Sequence, residues 1–320
     1  MQPRHPRLAQ AFALSQAGRN AEAVLIVNQL AAEKEPEALY TLGEMKWRGG
    51  MVPQDPVRGR ELFRLAGEAG HPMAAVYYTN LLASGVAGER DWAGALRRLR
   101  QESARDPRRK QALTLIERMN LDDSGDPREI PPAETLSAEP DVKTIVRLFT
   151  ATECDYVRAV AEPLYMPSIV YDQQRRAVKD PIRTSDGSTI HWLIEDPALH
   201  ALNRRLAAAT GTSAEQGEAM QILRYRPGQQ YRNHLDFVQT SENVRAQTAL
   251  VYLNHDFKGG ETCFVKTGLK VKGRKGDALI FRNALSDRRP DPLSEHAGLP
   301  VTGGTKYLAS RWIRERRWTP

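Results

Sequence analysis

The stretch MQILRYRPGQQYRNHLDF (residues 220–237) contains two short strand patterns separated by a turn at Pro227 and Gly228. In the second pattern His234 and Asp236 stand two residues apart, and side chains at i and i+2 of a strand project to the same face. An imidazole nitrogen and a carboxylate oxygen could therefore approach one cation together. The triplet alone is common, and the alternative is two polar residues on the solvated face of an ordinary strand.

Strand patterns continue from Met220 to the end of the chain. Turn signals such as Gly259 and Gly260 separate the segments QTALVYLN, ETCFV, LKVK, DALIF and TKYLASRWI. Many short strands with glycine and proline between them are typical of an all-β sandwich or barrel. Two helical segments, TATECDYVRAVAEPLY and DPALHALNRRLAAATG, precede them and are expected to cover one face.

His296, in SEHAGLPVTGGTKY, is the candidate for a third metal ligand from another strand, 60 residues after Asp236. Two histidines and one carboxylate form the facial triad of non-haem Fe(II), which leaves sites open for oxygen and a cosubstrate. Zinc is more often held by a closed shell, or by three protein ligands and water. Ordinary structural explanations suffice for His5, His71, His200 and His255.

Lys306 follows His296 by 10 residues and lies among apolar neighbours in TKYLASRWI. A buried lysine is costly without an anionic partner. Beside an Fe(II) triad, this cation would be well placed to pair with the distal carboxylate of 2-oxoglutarate. In isolation, a strand lysine that points to solvent would be the simpler interpretation.

The first third of the chain is a repeat. EPEALYTLGEMKWRGGMVPQDP and HPMAAVYYTNLLASGVAGERDW align at an offset of 36 residues, a period typical of paired-helix solenoids. Each unit is predicted to hold a helix, a glycine turn at Gly49 or Gly85, and a second helix capped by Asp55 or Asp91. The pattern resembles the Sel-one-like subclass of tetratricopeptide repeats. Such stacks usually bind proteins or peptides, although so few repeats could instead only support a neighbouring domain.

Length and composition favour two domains in a protein without membrane segments. The chain has 320 residues, 41% hydrophobic and 27% charged, and its apolar runs are too short to cross a bilayer. We predict helical repeats over residues 1–120, a Pro- and Asp-rich linker over 121–142, and a second domain over 143–320. The fold class is thus α+β, with a helical solenoid followed by a β domain.

Charge and cysteine content bear on partners and compartment. The net charge of +7 is spread along the chain, which does not favour nucleic acid as a partner. Only Cys154 and Cys263 are present, too few for a disulfide framework, and the N-terminus lacks an apolar stretch of signal-peptide length. The expected location is the cytoplasm.

Residues from about 143 to 320 resemble the 2-oxoglutarate/Fe(II) dioxygenases of prolyl 4-hydroxylase type. The resemblance rests on DPIRTSDGSTIHWL, GEAMQILRYRPGQQYRNHLDF, QTALVYLNHDFKGGETCF, GDALIFRN and SEHAGLPVTGGTKYLASRWI. It implies a double-stranded β-helix, or jelly-roll, with Fe(II), 2-oxoglutarate, oxygen and ascorbate as cofactors. It also implies His234, Asp236 and His296 as iron ligands and Lys306 as the partner of 2-oxoglutarate.

The resemblance extends to residues around the metal. Tyr225 is similar to the tyrosine that lines the cosubstrate pocket, and Tyr252 to the one whose hydroxyl supports Lys306. Thr248 and Trp312 fall at the same pocket. Each tyrosine could equally be a core aromatic.

Substrate contacts are implied in the same way. The segment RTS resembles a mobile lid over a prolyl peptide, and the contact positions are Arg183, Ser185, Glu218, Tyr231 and Arg245. Two positions depart from the family pattern: Arg314 replaces a frequent histidine, and Glu295 replaces a common apolar residue. Both departures bear on the substrate more than on the reaction.

The resemblance implies hydroxylation of a prolyl residue in a peptide or protein, with the repeats as a docking module. One alternative is hydroxylation of a free amino acid or small metabolite in an enclosed pocket. Another is a repeat scaffold whose dioxygenase domain only binds. A nucleic-acid dealkylase is disfavoured, since such enzymes generally hold the cosubstrate through arginine rather than lysine.

Overall fold

The computed structural model describes residues 5–171, 177–179, 182–238 and 242–318. The chain divides into two compact units. The first comprises the chain up to Glu117 together with Trp192–His200, and the second comprises Arg118–His191 and the chain from Ala201 onward. No helix within the described ranges is both long and apolar enough to span a membrane.

The first unit is built from antiparallel helix pairs. Its helices are α1 (Pro6–Gln16), α2 (Asn20–Ala32), α3 (Pro36–Arg48), α4 (Pro56–Glu68), α5 (Pro72–Ser84), α6 (Trp92–Ser103) and α7 (Pro107–Ile116). The predicted repeat is confirmed as the pairs α3–α4 and α5–α6. Asp55 accepts a bond from the Arg58 amide at 2.9 Å and Asp91 one from the Gly94 amide at 2.7 Å, as N-caps do.

Small residues allow the repeat helices to pack closely. A Cβ atom on Gly43 of α3 would lie 2.8 Å from the ring of Phe63, which is fully buried in α4. A Cβ on Gly59 would lie 3.2 Å from the backbone nitrogen of Trp47. Only glycine therefore permits this approach between α3 and α4. Leu193, from Trp192–His200, also belongs to the core of this unit.

The second unit contains the β-structure and helix α8 (Ala151–Ala161), while α9 (Pro197–Thr210) begins within the Trp192–His200 segment. Its strands are β1 (Ala133–Ser137), β2 (Val142–Ile145), β3 (Met166–Pro167), β4 (Ile169–Tyr171), β5 (Ala177–Lys179), β6 (Asp186–Ile190), β7 (Met220–Tyr225), β8 (Tyr231–His234), β9 (Arg245–Tyr252), β10 (Lys258–Gly259), β11 (Thr262–Phe264), β12 (Lys270–Val271), β13 (Ala278–Arg282), β14 (His296–Gly298), β15 (Val301–Gly303) and β16 (Lys306–Arg314).

Two antiparallel sheets enclose the core of this unit. The larger has eight strands in the order β1-β2-β13-β9-β16-β7-β6-β3, and the smaller has four in the order β12-β11-β14-β8. Phe264 of the smaller sheet meets Phe281 of the larger edge to face, with ring centroids 5.2 Å apart. Leu223 and Leu308 lie in the same buried cluster. The predicted jelly-roll architecture is confirmed.

The segment 121–142, predicted to be a linker, is different in the structure. Ala133–Ser137 forms β1, which pairs with β2 at the edge of the larger sheet. The side chains of β1 are exposed or half-buried along the whole strand. An edge strand without a buried face has no apolar alternation, so the sequence pattern could not reveal it.

Candidate metal centre

His234, Asp236 and His296 come together at one end of the smaller sheet. His234 is the last residue of β8 and faces His296, the first residue of β14, across the antiparallel pair. The Asp236 carboxylate lies 3.6 Å from Nε2 of His234 and 3.8 Å from Nε2 of His296. One ligand atom from each residue falls within 4.8 Å of the others, the one such group found in the described ranges.

The two imidazole rings are held by backbone carbonyls. Nδ1 of His234 lies 2.7 Å from the carbonyl oxygen of Arg232, and Nδ1 of His296 lies 2.9 Å from that of Ser294. A proton on each Nδ1 leaves the Nε2 lone pair directed at the shared space, which is how metal-binding histidines are commonly oriented. Asp236 lies just beyond the end of β8, so a bend rather than a strand brings its carboxylate to the same side.

The pKa shifts of His234 and Asp236 suit a divalent cation. Burial, together with the neighbouring charge of His296, lowers the pKa of His234 to about 4, against the opposing effect of Asp236. Burial raises the pKa of Asp236. The combined opposite effect of His296, His234, Thr248 and Trp312 is larger, so the net shift of this pKa is downward. Two imidazoles and one carboxylate are the donor set of a facial Fe(II) site. The side chains present thus fit the metal.

Lys306, the first residue of β16, is buried despite its ionisable side chain. Its Nζ donates to the carbonyl oxygen of Gly260 at 2.8 Å, and no acidic side chain of the described chain forms an ion pair with it. Burial lowers the pKa of Lys306 to about 8; Glu261 opposes this shift and Lys272 adds to it. A buried cation whose partner is one carbonyl is poised to receive an anion.

One pocket joins the candidate metal-binding side chains to Lys306. Its walls are formed by residues from both sheets: Leu223, Tyr225, Tyr231, His234, Asp236, Leu250, Thr262, His296, Gly298, Lys306, Leu308, Ser310 and Trp312. The structure thus places a cation and a candidate metal site against one cavity.

The predicted cosubstrate residues differ in their placement. Tyr225 lines the pocket, where burial raises the pKa of its hydroxyl against the lowering effects of Arg183 and Ser185. The Tyr252 hydroxyl instead donates to the carbonyl oxygen of Val271 at 3.1 Å, while the Tyr252 ring centroid lies 5.7 Å from Nζ of Lys306. Thr248 lies behind Asp236 rather than among the residues that line the pocket, and its hydroxyl donates to the Asp236 carboxylate at 2.7 Å.

Trp312 packs beside the same carboxylate. It lines the pocket and lowers the pKa of Asp236, although its buried indole nitrogen forms no hydrogen bond of normal geometry within the described ranges. The guanidinium of Arg245 lies 3.9 Å from the centre of the Trp312 ring. Trp312 thus links the pocket to the charged residues behind it.

Tyr231, Arg183 and Ser185 lie at or near the pocket. The ring of Tyr231 stacks on His234 with centroids 3.5 Å apart, and the Arg183 guanidinium lies 5.5 Å from the centre of the Tyr231 ring. Arg183 also donates to Gln221 at 3.2 Å. Ser185 is buried, with its hydroxyl oxygen 3.4 Å from that of Ser168. Arg183 and Tyr231 are therefore the more exposed contacts of the set.

Glu218 is shared by two arginines. It receives bonds from Arg245 at 2.7 and 2.8 Å and from Nε of Arg314 at 2.6 Å. Glu218 and Arg245 were predicted as separate peptide contacts, and the structure shows that they form one ion-pair cluster. Arg314 was noted only as a departure from the family pattern.

Two supporting residues were missed by sequence reasoning. Asn283, fully buried, donates to the Thr248 hydroxyl at 2.9 Å. The Gly260 carbonyl receives Lys306, and a Cβ atom on Gly260 would lie 3.3 Å from Cδ of Lys306. The paired glycines at 259 and 260, both with positive φ, were a detectable signal for the second contact.

Comparisons with known proteins find a match in the second unit. Residues 220–314 match the model of the 2OG-Fe(II) oxygenase superfamily. Prolyl 4-hydroxylase 1 of Arabidopsis thaliana is 34% identical over 203 residues, which is 57% of this chain and 72% of the relative. Prolyl 4-hydroxylase 2 of the same plant is 33% identical over 205 residues, 56% of this chain and 68% of the relative.

A solved structure is also similar to this unit. The viral collagen prolyl hydroxylase from Paramecium bursaria Chlorella virus-1, in its 2-oxoglutarate complex, is 25% identical, with a TM-score of 0.42 over 54% of this chain and 95% of that protein.

Proposed function

The chain belongs to the prolyl 4-hydroxylase family of 2-oxoglutarate/Fe(II) oxygenases, and we propose that it hydroxylates a prolyl residue of a peptide or protein. The observation that carries the proposal is the position of His234, Asp236 and His296 on the same pocket as the buried cation of Lys306. A metal centre and an anion-binding cation facing one cavity are the two requirements of a 2-oxoglutarate oxygenase. The substrate class rests on the family relatives.

His234, Asp236 and His296 would hold Fe(II) through Nε2 of each ring and the carboxylate. When bound, the iron with 2-oxoglutarate and oxygen supplies the oxidising power that inserts an oxygen atom into an unactivated C–H bond, with release of succinate and carbon dioxide. Ascorbate would keep the iron reduced. The protein contributes fixed ligand orientation through the carbonyls of Arg232 and Ser294.

Lys306 would bind the distal carboxylate of 2-oxoglutarate. The ammonium is already desolvated, so an incoming carboxylate gains a charge-assisted bond without further burial of the cation. Tyr225 and Trp312 would form the walls of the cosubstrate pocket. Tyr252 would support the pocket with its ring rather than its hydroxyl, which is bonded to Val271.

The prolyl peptide would approach the side of the pocket occupied by Tyr231. The half-buried Tyr231 ring lies directly on His234, and a proline ring packs well on an aromatic face. Arg183, beside Tyr231, can reach peptide carbonyls. Glu218 and Arg245 would orient the peptide from the Trp312 side, while Ser185 would act through Tyr225.

The repeats would dock the substrate protein. A groove of about 540 Å³ lies among α2, α3 and α4, with a floor that includes Leu39, Leu42 and Leu62. Lys34 and Arg58 stand exposed on its rim, and neither forms an ion pair with another described residue. The one acidic rim residue, Glu68, is already paired with Arg64. The groove therefore suits a substrate segment that combines aliphatic and acidic side chains.

A charge-swap experiment tests the docking proposal. A fluorescein-labelled peptide carrying leucine and glutamate should bind the wild-type chain, and Lys34→Glu with Arg58→Glu should weaken binding by about tenfold or more. A second peptide, in which lysine replaces each glutamate, should bind that variant. The control is Arg100→Glu with Lys110→Glu, exposed cations of the same unit outside the groove. Equal binding of both peptides to every protein contradicts the docking site.

We further propose a cytoplasmic location. Cys154 and Cys263 are both unpaired, and Cys154 is buried, which raises the pKa of its thiol to about 12. An inert buried thiol and a second free cysteine are compatible with a reducing compartment. Fluorescence microscopy of a tagged full chain tests the location.

Turnover and product analysis test the proposed reaction. The purified chain should convert 2-oxoglutarate to succinate only when Fe(II) and a prolyl peptide are both supplied. Mass spectrometry should then find one added oxygen atom on a prolyl residue, and cellular proteins should lose that modification when His234→Ala replaces the wild type. A modification that persists in His234→Ala, or an oxygen placed on another residue type, contradicts the proposal.

A further inference from the structure

A buried hydrogen-bond relay runs from Asn283 to the candidate metal ligand Asp236. Nδ2 of Asn283 donates to Oγ1 of Thr248 at 2.9 Å, and Oγ1 of Thr248 donates to Oδ2 of Asp236 at 2.7 Å. Asn283 and Thr248 are fully buried, and Asp236 is nearly so. Hydrogen bonds of this kind are strengthened where water is excluded.

The direction of the relay follows from donor counting. A threonine hydroxyl has one proton and a carboxylate can only accept, so the bond to Asp236 uses the only proton of Thr248. The Thr248 oxygen can then only accept from Asn283, which requires the amide nitrogen rather than the amide oxygen at that position. The amide thus sets the orientation of the hydroxyl.

The backbone holds both members of the relay in place. Asn283 follows β13, its N–H donates to the Ala246 carbonyl at 2.9 Å, and its carbonyl receives the Asp291 N–H at 2.9 Å. Thr248 lies in β9, paired on one side with Phe281 and on the other with Trp312. Asp236 itself lies beyond the end of β8, where no strand pairing fixes its side chain.

We propose that Asn283 and Thr248 are positioning residues, which hold the Asp236 carboxylate in the orientation that binds the metal. Asp236 needs such support because it lies in a bend, whereas the two histidines are oriented by adjacent carbonyls. The amide of Asn283 keeps the Thr248 proton directed at Oδ2, so the carboxylate cannot rotate without loss of that bond. This inference rests on the proposed metal site.

The test is a double-mutant cycle on metal affinity, measured by calorimetric titration of the full chain with Co(II). Thr248→Val should weaken Co(II) binding by roughly 10- to 100-fold, as second-shell changes commonly do, and Asn283→Ala by several-fold. The double variant should bind Co(II) within about twofold of Thr248→Val alone, because the relay is already interrupted. Thr248→Ser, which keeps the hydroxyl, should bind Co(II) with an affinity close to that of the wild type.

Controls distinguish loss of the relay from a loss of protein stability and from a wrong assignment of the metal site. Ser188→Ala removes a buried hydroxyl that has no hydrogen-bond partner in the described structure, and should leave Co(II) affinity unchanged. Multiplicative losses in the double variant, or lower melting temperatures with unchanged Co(II) affinity, overturn the relay. Wild-type Co(II) binding that His234→Ala does not weaken would overturn the proposed metal site instead.

Discussion

Nζ of Lys306 and the carbonyl oxygen of Gly260 lie 2.8 Å apart, and the lysine side chain is almost completely buried. The rings of Tyr225 and Tyr252 flank the ammonium, with centroids 5.5 and 5.7 Å away. The cation is therefore desolvated before any ligand arrives, and its charge is balanced by aromatic faces and one carbonyl rather than by a carboxylate. Binding of an anion at this site is therefore expected to be favourable, because it would neutralise a charge that is already buried.

Replacement of Lys306 should separate ligand binding from folding. Lys306→Met should raise the Kd for 2-oxoglutarate by roughly 100-fold or more, since loss of one member of a buried charge pair costs a few kcal/mol. The free energy of unfolding without ligand should stay the same or increase, because a buried cation is replaced by an apolar chain of similar length. Calorimetry and urea unfolding measure the two quantities, and Lys270→Met, at an exposed lysine of β12, is the control. An unchanged Kd in Lys306→Met contradicts the anion site.

The affinity for 2-oxoglutarate should depend on the protonation of Lys306. Burial lowers the pKa of this ammonium to about 8 in the ligand-free protein, and only the protonated form attracts a carboxylate. The Kd should therefore be constant below about pH 8 and rise by up to tenfold per pH unit above it. Titration calorimetry of 2-oxoglutarate binding, from about pH 6 to about pH 10, measures this dependence, because the range spans the pKa of Lys306.

Lys306→Arg is the matched control for this pH dependence. Arginine keeps its charge throughout the range, so any residual 2-oxoglutarate binding should not weaken above pH 8. A wild-type affinity that stays constant up to pH 10, or an equal decline in Lys306→Arg, would assign the effect to another group.

Much of the catalytic fold could be predicted because its signals are local. The pattern of a short strand between turn signals predicted the segment MQILRY. The structure shows this segment as β7, with the same bounds, Met220–Tyr225. The candidate metal site was also accessible, since the spacing of His234 and Asp236 predicted that the two would share a face, although a bend at Asp236 rather than a strand brings them together. Its third member and Lys306 needed the jelly-roll architecture, which the family resemblance supplied.

The features that were missed depend on contacts between distant segments. Arg314 meets Glu218 only because β16 places them together, and no local pattern indicates that one carboxylate serves two arginines. Asn283 lies just after β13, where its side chain reads as an ordinary loop polar group. The inclusion of Trp192–His200 in the first unit likewise follows from packing rather than from composition.

Removal of His234, a proposed metal ligand, should abolish both metal binding and turnover. His234→Ala should lower metal affinity by more than the roughly 10- to 100-fold typical of second-shell changes, because a direct ligand is lost. His255→Ala, at an exposed histidine that does not line the pocket, should change neither quantity. Titration with Co(II) and the succinate assay measure the two effects. Retained turnover in His234→Ala would exclude this site as the catalytic centre.

The Glu218 cluster should respond asymmetrically to substitution. Glu218→Gln leaves both Arg245 and Arg314 without their carboxylate and should lower the free energy of unfolding by about 2–3 kcal/mol, less than a fully buried pair because Glu218 and Arg245 are partly exposed. Arg245→Gln keeps the bond between Glu218 and Arg314 and should cost only about 1 kcal/mol. Urea unfolding measures both. Equal losses would show that Glu218 does not serve two partners.

The repeat unit should be sensitive to a single added methyl group between α3 and α4. Gly43→Ala places a Cβ atom 2.8 Å from the ring of Phe63, which is fully buried and cannot move aside. The free energy of unfolding should therefore fall by about 1–3 kcal/mol. Phe63→Leu leaves room at the same place, so the double variant should be less destabilised than the sum of the two single changes. Thermal and urea unfolding of the full chain measure this coupling, and simple additivity would show that the two side chains do not compete for the same space.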